Sequence, residues 1–315
     1  MKISVLDIAT LGYDLDFNSI QRLGEVKIYD VTMQEDVVER IKDAEVLILN
    51  KVKLNRENLP YAKNLKLICI TATGFDNVDL EYCREHNIAV CNVTGYSRDS
   101  VVQLTVALAF SLTTNLSTFD RFVKSGKYTN SGIFNCIEPV FREMSALTWG
   151  VVGLGDIGTK VADIAKTMGC RVLAYKRTPV KKYTCVDIDT LCRESDIISI
   201  HIPLSKETYH LIDEKRLSEM KDGVILINVA RGDVVDEEAV CKSVINKKIG
   251  GLGVDVYSKE PMQPDSPYQK ILGCENVVFT PHMAWGAIDA RKRCIDEVAK
   301  NIESFLNGEK RSRLV

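Results

Sequence analysis

The chain has 315 residues, 45% of them hydrophobic, enough to bury more than one medium-sized core. Its 41 Lys and Arg against 43 Asp and Glu leave a formal net charge of −2, which excludes a global basic field for nucleic acid and an acidic tail. The opening "MKISVLDIAT" lacks the apolar core of a signal peptide and no apolar run approaches membrane-spanning length, so a soluble, cytoplasmic protein with no membrane partner is expected.

In chain order, "KISVLD", "VKIYD", "AEVLILN", "LKLICIT" and "IAVCNV" read as buried strands of a parallel sheet, with helix-like stretches such as "MQEDVVERIKD" between them. They form one βα array over residues 1–97. "RDSVVQLTVALAFSLTTNLSTFDRFVKSG" follows as a long apolar helix ending at Gly126. A looser stretch with Gly132 and Pro139 leads into a second array. Its strands are "LTWGVVGLG", "CRVLAYK", "DIISIHI", "GVILINV", "IGGLGVDV" and "NVVFTPH". The chain closes on an amphipathic helix with Ile288, Ile295, Val298, Ile302 and Phe305 on one side. Alternating strands and helices throughout predict an α/β fold with doubly wound sheets. Ten cysteines occur with no C-x-x-C pair, mostly in apolar runs, which predicts reduced, buried thiols and no metal site.

Gly153, Gly155 and Gly158 match G-x-G-x-x-G between an apolar strand and a helix with Ile157, Val161, Ile164, Ala165 and Met168 on one stripe. Gly153 permits the turn, Gly155 the approach of a pyrophosphate, and Gly158 close packing of helix on strand. The free N–H groups of the helix start then face the phosphates. A tight turn with no ligand is the alternative. At the end of the next strand a ribose-binding acid is usual, but Lys176, Arg177 and Thr178 stand there, and no Asp or Glu occurs between Gly169 and Val186. NADP(H) is therefore expected in preference to NAD(H), with Lys181 and Lys182 adding positive charge or simply solvated. Three polar residues follow later strands: Arg231 in "INVARGDVVD", Glu260 in "GVDVYSKEP" and His282 in "FTPHMAW". An Arg can hold a carboxylate by a bidentate fork, a His can move a proton near neutral pH, and a Glu bonded to it favours its protonated form. Each also has a plain structural reading, as a loop cap, a solvated loop acid and a satisfied strand-end histidine.

The motifs "VVGLGDIG", "HIPLSKET", "INVARGDVVDEEAV", "GVDVYSKEPM" and "TPHMAW", in this order, resemble the D-isomer-specific 2-hydroxyacid dehydrogenase family over essentially the whole chain. Through "GYSRDSVVQLTVAL", "YSKEPM" and "HMAWGAIDAR" the sequence is most similar to glycerate dehydrogenases, also called hydroxypyruvate reductases. It departs at Gln103, where many members have Glu, and at Gly286, where relatives of this type often have Ala. The resemblance implies NAD(P)H-dependent reduction of a small 2-keto acid, such as hydroxypyruvate or glyoxylate, to the D-2-hydroxy acid. Arg231, Glu260 and His282 would be the catalytic residues. Thr73 and Gly74 in "TATGFDNVD" would bind the substrate with Arg231 and Trp285, within loops 50–54 and 73–77. Asp255 would anchor the nicotinamide. Asp156, Ile157, His201, Pro203, Thr208, Val229, Ala230 and His282 would complete the cofactor site. The resemblance also implies a discontinuous, flavodoxin-like substrate domain of residues 1–97 and 287–315, and a Rossmann domain of residues 98–286. A phosphoglycerate dehydrogenase-like enzyme and a dinucleotide-sensing protein are the alternatives. The apolar stretch from Val101 to Phe122, and a following "NCIEPVFREMSALTW" with no core of its own, predict a homodimer.

Overall fold

Most of the apolar runs become strands buried on both faces, as a parallel sheet covered by helices requires. The run "VKIYD", expected to be buried, instead forms the largely exposed edge strand Glu25–Ile28, with Ile28 41% exposed. The computed structural model describes residues 1–178 and 180–315. The chain divides into two compact units, Met1–Arg98 with Trp285–Val315, and Asp99–Ala284. Arg98, Trp285 and Gly286 thus belong to the first unit, not to the second as the sequence reading placed them. Trp285 packs on the first unit's core and meets the Tyr96 ring edge to face, 6.4 Å between centroids.

The first unit holds β1 (Lys2–Val5), β2 (Glu25–Ile28), β3 (Val46–Leu49), β4 (Leu67–Ile70) and β5 (Ala89–Cys91), all parallel and in the order β2-β1-β3-β4-β5. Alternate residues of one strand feed two cores. Val46 and Ile48 point with Ala290, Cys294, Ile295, Val298 and Ile302 of the helix Ile288–Leu306. Leu47 and Leu49 point with Val37, Ile41, Leu59 and Cys83 on the other face. Period-2 alternation between two apolar layers is why these strands show no polar face in sequence.

The second unit holds β6 (Thr148–Val152), β7 (Arg171–Tyr175), β8 (Thr184–Cys185), β9 (Ile197–Ile200), β10 (Val224–Asn228), β11 (Ile249–Val254) and β12 (Val277–Phe279). Their order is β12-β11-β10-β9-β6-β7-β8, and every pair is parallel. The chain starts at β6, winds outward to β8, then returns across β6 to β9 and winds the other way. The reversal between β6 and β9 is a topological switch point, where the strand ends open a crevice.

The helix expected from residue 98 to Gly126 is two helices, Arg98–Thr113 and Leu116–Lys124, bent by 62°. Asn115 breaks it in the left-handed region, φ +52°. Thr114 bonds its hydroxyl back to the Phe110 carbonyl at 2.7 Å, and Asn tolerates the left-handed conformation better than most residues. No single helix is long and apolar enough to cross a membrane among the described residues. Met168, read as part of the buried stripe, lies just past the helix Asp156–Thr167 and is 41% exposed. All ten cysteines are free, and seven of them are buried.

The glycine turn after β6 is fixed by close packing. Gly153 takes φ +102°, and a Cβ on Gly158 would lie 1.9 Å from the Gly153 carbonyl oxygen. A Cβ on Gly155 would meet nothing within 4 Å. Gly158→Ala must therefore push helix from strand and is expected to lower stability by about 1–3 kcal/mol. Gly155→Ala is expected to stay within about 0.5 kcal/mol of the native chain. Denaturant titration of the two variants checks the contrast, and equal losses would contradict it.

Candidate active site

The second unit's strands end on one edge, and the loops there carry most of the residues singled out by sequence. After β6, the Gly153 N–H donates to the Tyr175 carbonyl at 2.9 Å, tying the turn to the end of β7. Gly155 precedes the helix Asp156–Thr167, and no side chain caps that helix start. Asp156 and Ile157 form its first turn. An uncapped helix N-terminus beside an open glycine fits a dinucleotide pyrophosphate.

At the end of β7, Lys176 donates from Nζ to the Leu154 carbonyl of the glycine turn at 3.2 Å. Arg177 and Thr178 are exposed beside it. Lys182 is engaged elsewhere. It pairs with Asp163 at 2.7 Å, which raises its own pKa and, with Tyr183, lowers that of Asp163. The cationic corner is therefore smaller than the sequence suggests. A carboxylate also stands in its field. Glu207, on the loop after β9, is held below the usual carboxylate range first by the Ser205 hydroxyl and also by the charge of Arg177.

On the same loop, Thr208 accepts the Ser205 N–H at 2.7 Å and donates to the Pro203 carbonyl at 2.8 Å. His201 lies against the glycine turn, its backbone within 3.0 Å of where a Gly153 Cβ would stand. Its Nε2 is 2.9 Å from the Ser199 hydroxyl, which accepts the Trp149 indole N–H at 3.0 Å. Burial lowers the His201 pKa to about 3, so the ring is neutral, and its buried Nδ1 has no partner. These contacts fix the ring in place beside the turn.

Arg231, Glu260 and His282 follow β10, β11 and β12, which are sheet neighbours. Among the described residues the exposed Arg231 donates from Nη1 only to its neighbour's carbonyl, Ala230 O, at 2.7 Å. Asn228, at the buried end of β10, braces this turn. Its Nδ2 donates to Arg231 O at 2.9 Å and its Oδ1 accepts the Ala230 N–H at 3.1 Å. Val229 is buried between them. Glu260 Oε2 lies 2.6 Å from His282 Nδ1, while Oε1 accepts the Tyr257 N–H at 3.1 Å. With Nδ1 committed, Nε2 is the ring atom left for a ligand.

His282 sits in the left-handed region, φ +50°. Its N–H donates to the carbonyls of Asp255 and Thr280 at 2.8 and 3.1 Å. The Asp255 carboxylate is fully buried and turned into the same loop. It accepts the Thr280 hydroxyl at 2.6 Å and the Met283 and Ala284 amides at 2.9 Å each. Burial pushes the Asp255 carboxyl up, against the pull of these donors and of His282. As placed, Asp255 acts on the loop that carries His282. Among the described residues no group of His, Cys, Asp or Glu comes together that could hold a metal ion.

In the first unit, Thr73 and Gly74 follow β4. Thr73 is exposed, donates to Val93 O at 3.0 Å and accepts at its carbonyl from Asn92 Nδ2 at 2.8 Å. The loop after β3 folds over Asp7, whose carboxylate collects the amides of Asn50, Lys51 and Val52 at 2.9, 2.6 and 3.3 Å. A cleft of about 530 Å³ opens beside it between the loops after β1, β2 and β3. Asn228 and Tyr257 escaped the sequence reading. A polar residue closing an otherwise apolar strand, as in "VILIN", was the available signal for Asn228.

Residues 106–284 match the family model described as the NAD binding domain of D-isomer specific 2-hydroxyacid dehydrogenases. A hydroxypyruvate reductase of Blautia hydrogenotrophica is 33% identical over 317 aligned residues, 98% of either chain. A D-lactate dehydrogenase of Aquifex aeolicus, solved with NAD and lactic acid, superposes with a TM-score of 0.85 at 33% identity, covering 98% of this chain and 96% of that one. An acyclic imino acid reductase solved with NADPH and D-Arg gives a TM-score of 0.85 at 28% identity, covering 100% of both. With two parallel sheets of this order, a glycine turn at the switch point and a match across both units, the chain belongs to the D-isomer-specific 2-hydroxyacid dehydrogenase family.

Proposed function

We propose that this chain reduces a small 2-keto acid of the hydroxypyruvate or glyoxylate kind to the D-2-hydroxy acid. The observation that carries the reading is the His282–Glu260 pair at 2.6 Å beside an exposed Arg231, on three adjacent strand ends of a dinucleotide-type sheet. When bound, a reduced nicotinamide supplies the hydride that reaches the carbonyl carbon. The Arg231 guanidinium holds the substrate carboxylate, using donors that have no other protein partner among the described residues. His282 gives its Nε2 proton to the carbonyl oxygen as charge develops there. Glu260 holds Nδ1 and offsets the positive charge of the protonated ring. Asp255 orients the loop that carries His282. The D-lactate dehydrogenase fold neighbour and the hydroxypyruvate reductase relative support this class of substrate. A dinucleotide-sensing protein has no need of an imidazole held by a carboxylate.

NADP(H) is the preferred cofactor in this reading, because β7 ends on Lys176 and Arg177 rather than on an acid. One fold neighbour was solved with NADPH, another with NAD. The assembly is a homodimer. Ile133, Phe134, Ile137 and Val140 are 56, 94, 70 and 79% exposed in one short stretch, an apolar strip that a second copy would cover.

His282→Ala is expected to lower kcat at least about a hundredfold, the scale of general acid catalysis. Arg231→Ala raises KM and lowers kcat together. Glu260→Gln removes the carboxylate charge beside Nδ1, and the high-pH limb of reduction is expected to move to lower pH. Steady-state rates with hydroxypyruvate and glyoxylate across pH check all three, and near-native turnover of His282→Ala would sink the assignment.

Cofactor choice is read from kcat/KM with NADPH and NADH at fixed keto acid. NADPH is expected to be preferred, and Lys176→Asp with Arg177→Ala to reduce that preference at least about tenfold, since a charge-assisted contact contributes roughly 1.5–3 kcal/mol. A native preference for NADH, unmoved by either change, would show that the pair is surface charge.

Light scattering at micromolar concentration is expected to give twice the 35.2 kDa chain mass, and Phe134→Asp with Val140→Asp to shift it toward the monomer. A monomer mass for the native chain contradicts the dimer.

A further inference from the structure

Glu237 is the first residue of the helix Glu237–Ile245, and its neighbour Asp236 already caps that helix through the Ala239 N–H at 3.1 Å. An acid in a first turn gains from the helix dipole while fully solvated. Glu237 is instead only 7% exposed, and no Lys, Arg or His lies within 4 Å of its carboxylate among the described residues. Burying an unpaired carboxylate is costly unless hydrogen bonds compensate. The bond it makes is specific. Glu237 Oε1 accepts the Ser258 N–H at 2.8 Å.

That amide belongs to the peptide between Tyr257 and Ser258, on which two functional loops rest. The Tyr257 N–H, one residue back, holds Glu260 Oε1 at 3.1 Å. The Tyr257 hydroxyl donates to Thr280 O at 2.9 Å, at the start of the His282 loop. From the other side, Gly232 packs so closely that a Cβ there would lie 2.1 Å from Tyr257 C and 2.2 Å from Ser258 N. Gly232 directly follows Arg231. The Tyr257–Ser258 peptide thus joins Tyr257, whose own N–H holds Glu260, to the seat of the Arg231 turn, and Glu237 is the side chain that bonds it.

We propose that Glu237 is a positioning residue. Through the Tyr257–Ser258 peptide it keeps the Glu260 carboxylate on His282 Nδ1. This rests on the reading of Glu260 and His282 as the acid pair. The other ionisable groups nearby are Asp255 beneath His282, Asp236, Tyr257, Tyr268 and Cys241. Burial pushes Tyr257 and Cys241 each up to about 12 and Tyr268 well above its ordinary value, so these three stay neutral through the assay range.

Three variants test it. Glu237→Leu and Glu237→Ala remove the acceptor, and Glu237→Gln keeps an amide oxygen for the Ser258 N–H. The Leu and Ala variants are expected to lower kcat for keto-acid reduction fivefold or more with cofactor affinity unchanged. Their high-pH limb should move in the direction seen for Glu260→Gln, and the Gln variant should recover most of the native rate and profile. Adding Glu260→Gln to Glu237→Leu should move the limb no further than Glu260→Gln alone. A moved profile for Glu260→Gln with a native profile for the folded Leu and Ala variants overturns the proposal and leaves the acid pair standing. An unmoved profile for Glu260→Gln overturns the acid-pair reading and this proposal with it. A Gln variant as impaired as Leu also overturns it, since charge and not the hydrogen bond would then matter. Amide hydrogen exchange of Ser258 in the native chain needs no variant to fold: strong protection is expected, and free exchange overturns the proposal.

Discussion

A carboxylate held 2.6 Å from an imidazole nitrogen is the contact around which the second unit's strand-end loops are braced. The pair needs both partners fixed, because a loop histidine in the left-handed region has many other conformations available. Asp255 fixes one side. Its buried carboxylate spends its bonds on Thr280, Met283 and Ala284, the residues around His282. The Tyr257 amide fixes the other, by holding the second oxygen of Glu260. Neither support bonds the imidazole ring itself, yet each fixes one partner of the pair.

The sheet supplies the rest of the geometry. β10, β11 and β12 are parallel neighbours, so the loops that leave them emerge on one edge about a strand spacing apart. Residues distant in sequence become adjacent because every crossover returns the chain in the same direction. The same rule places the glycine turn of β6 at the switch point, next to the β7 end and the β9 loop. Close packing then sets the turn: Gly158 leaves no room for a side chain, whereas Gly155 faces open space.

The basic corner after β7 shows how charge depends on folding. Four cations follow β7 in sequence, at Lys176, Arg177, Lys181 and Lys182. In the folded unit Lys176 is turned onto the Leu154 carbonyl, Lys182 is consumed by Asp163, and Glu207 brings an acid into the field of Arg177 from a different loop. With Lys182 paired, the corner keeps Lys176, Arg177 and Lys181, and it is tempered by an acid that strand-by-strand reading does not see.

Much was legible before any coordinates. Apolar runs of strand length alternating with helix-like stretches are the pattern of parallel strands covered by helices, so the α/β class and both arrays follow from local pattern. The glycines of the turn and the three polar strand-end residues are legible for a similar reason: short-range sterics and strand termini are local properties. Other features are tertiary. The break at Asn115 depends on one left-handed residue and a back-bonded Thr, which apolar periodicity passes over. The place of Trp285 depends on which core its ring packs against. Glu237 reads as an ordinary acid at a helix start, and Asp255 stands out in sequence only as the nicotinamide anchor that the family resemblance implies. Only the fold brings Ser258 to the first and the His282 loop to the second, because a hydrogen bond between residues 21 or 28 positions apart leaves no periodic trace in the chain.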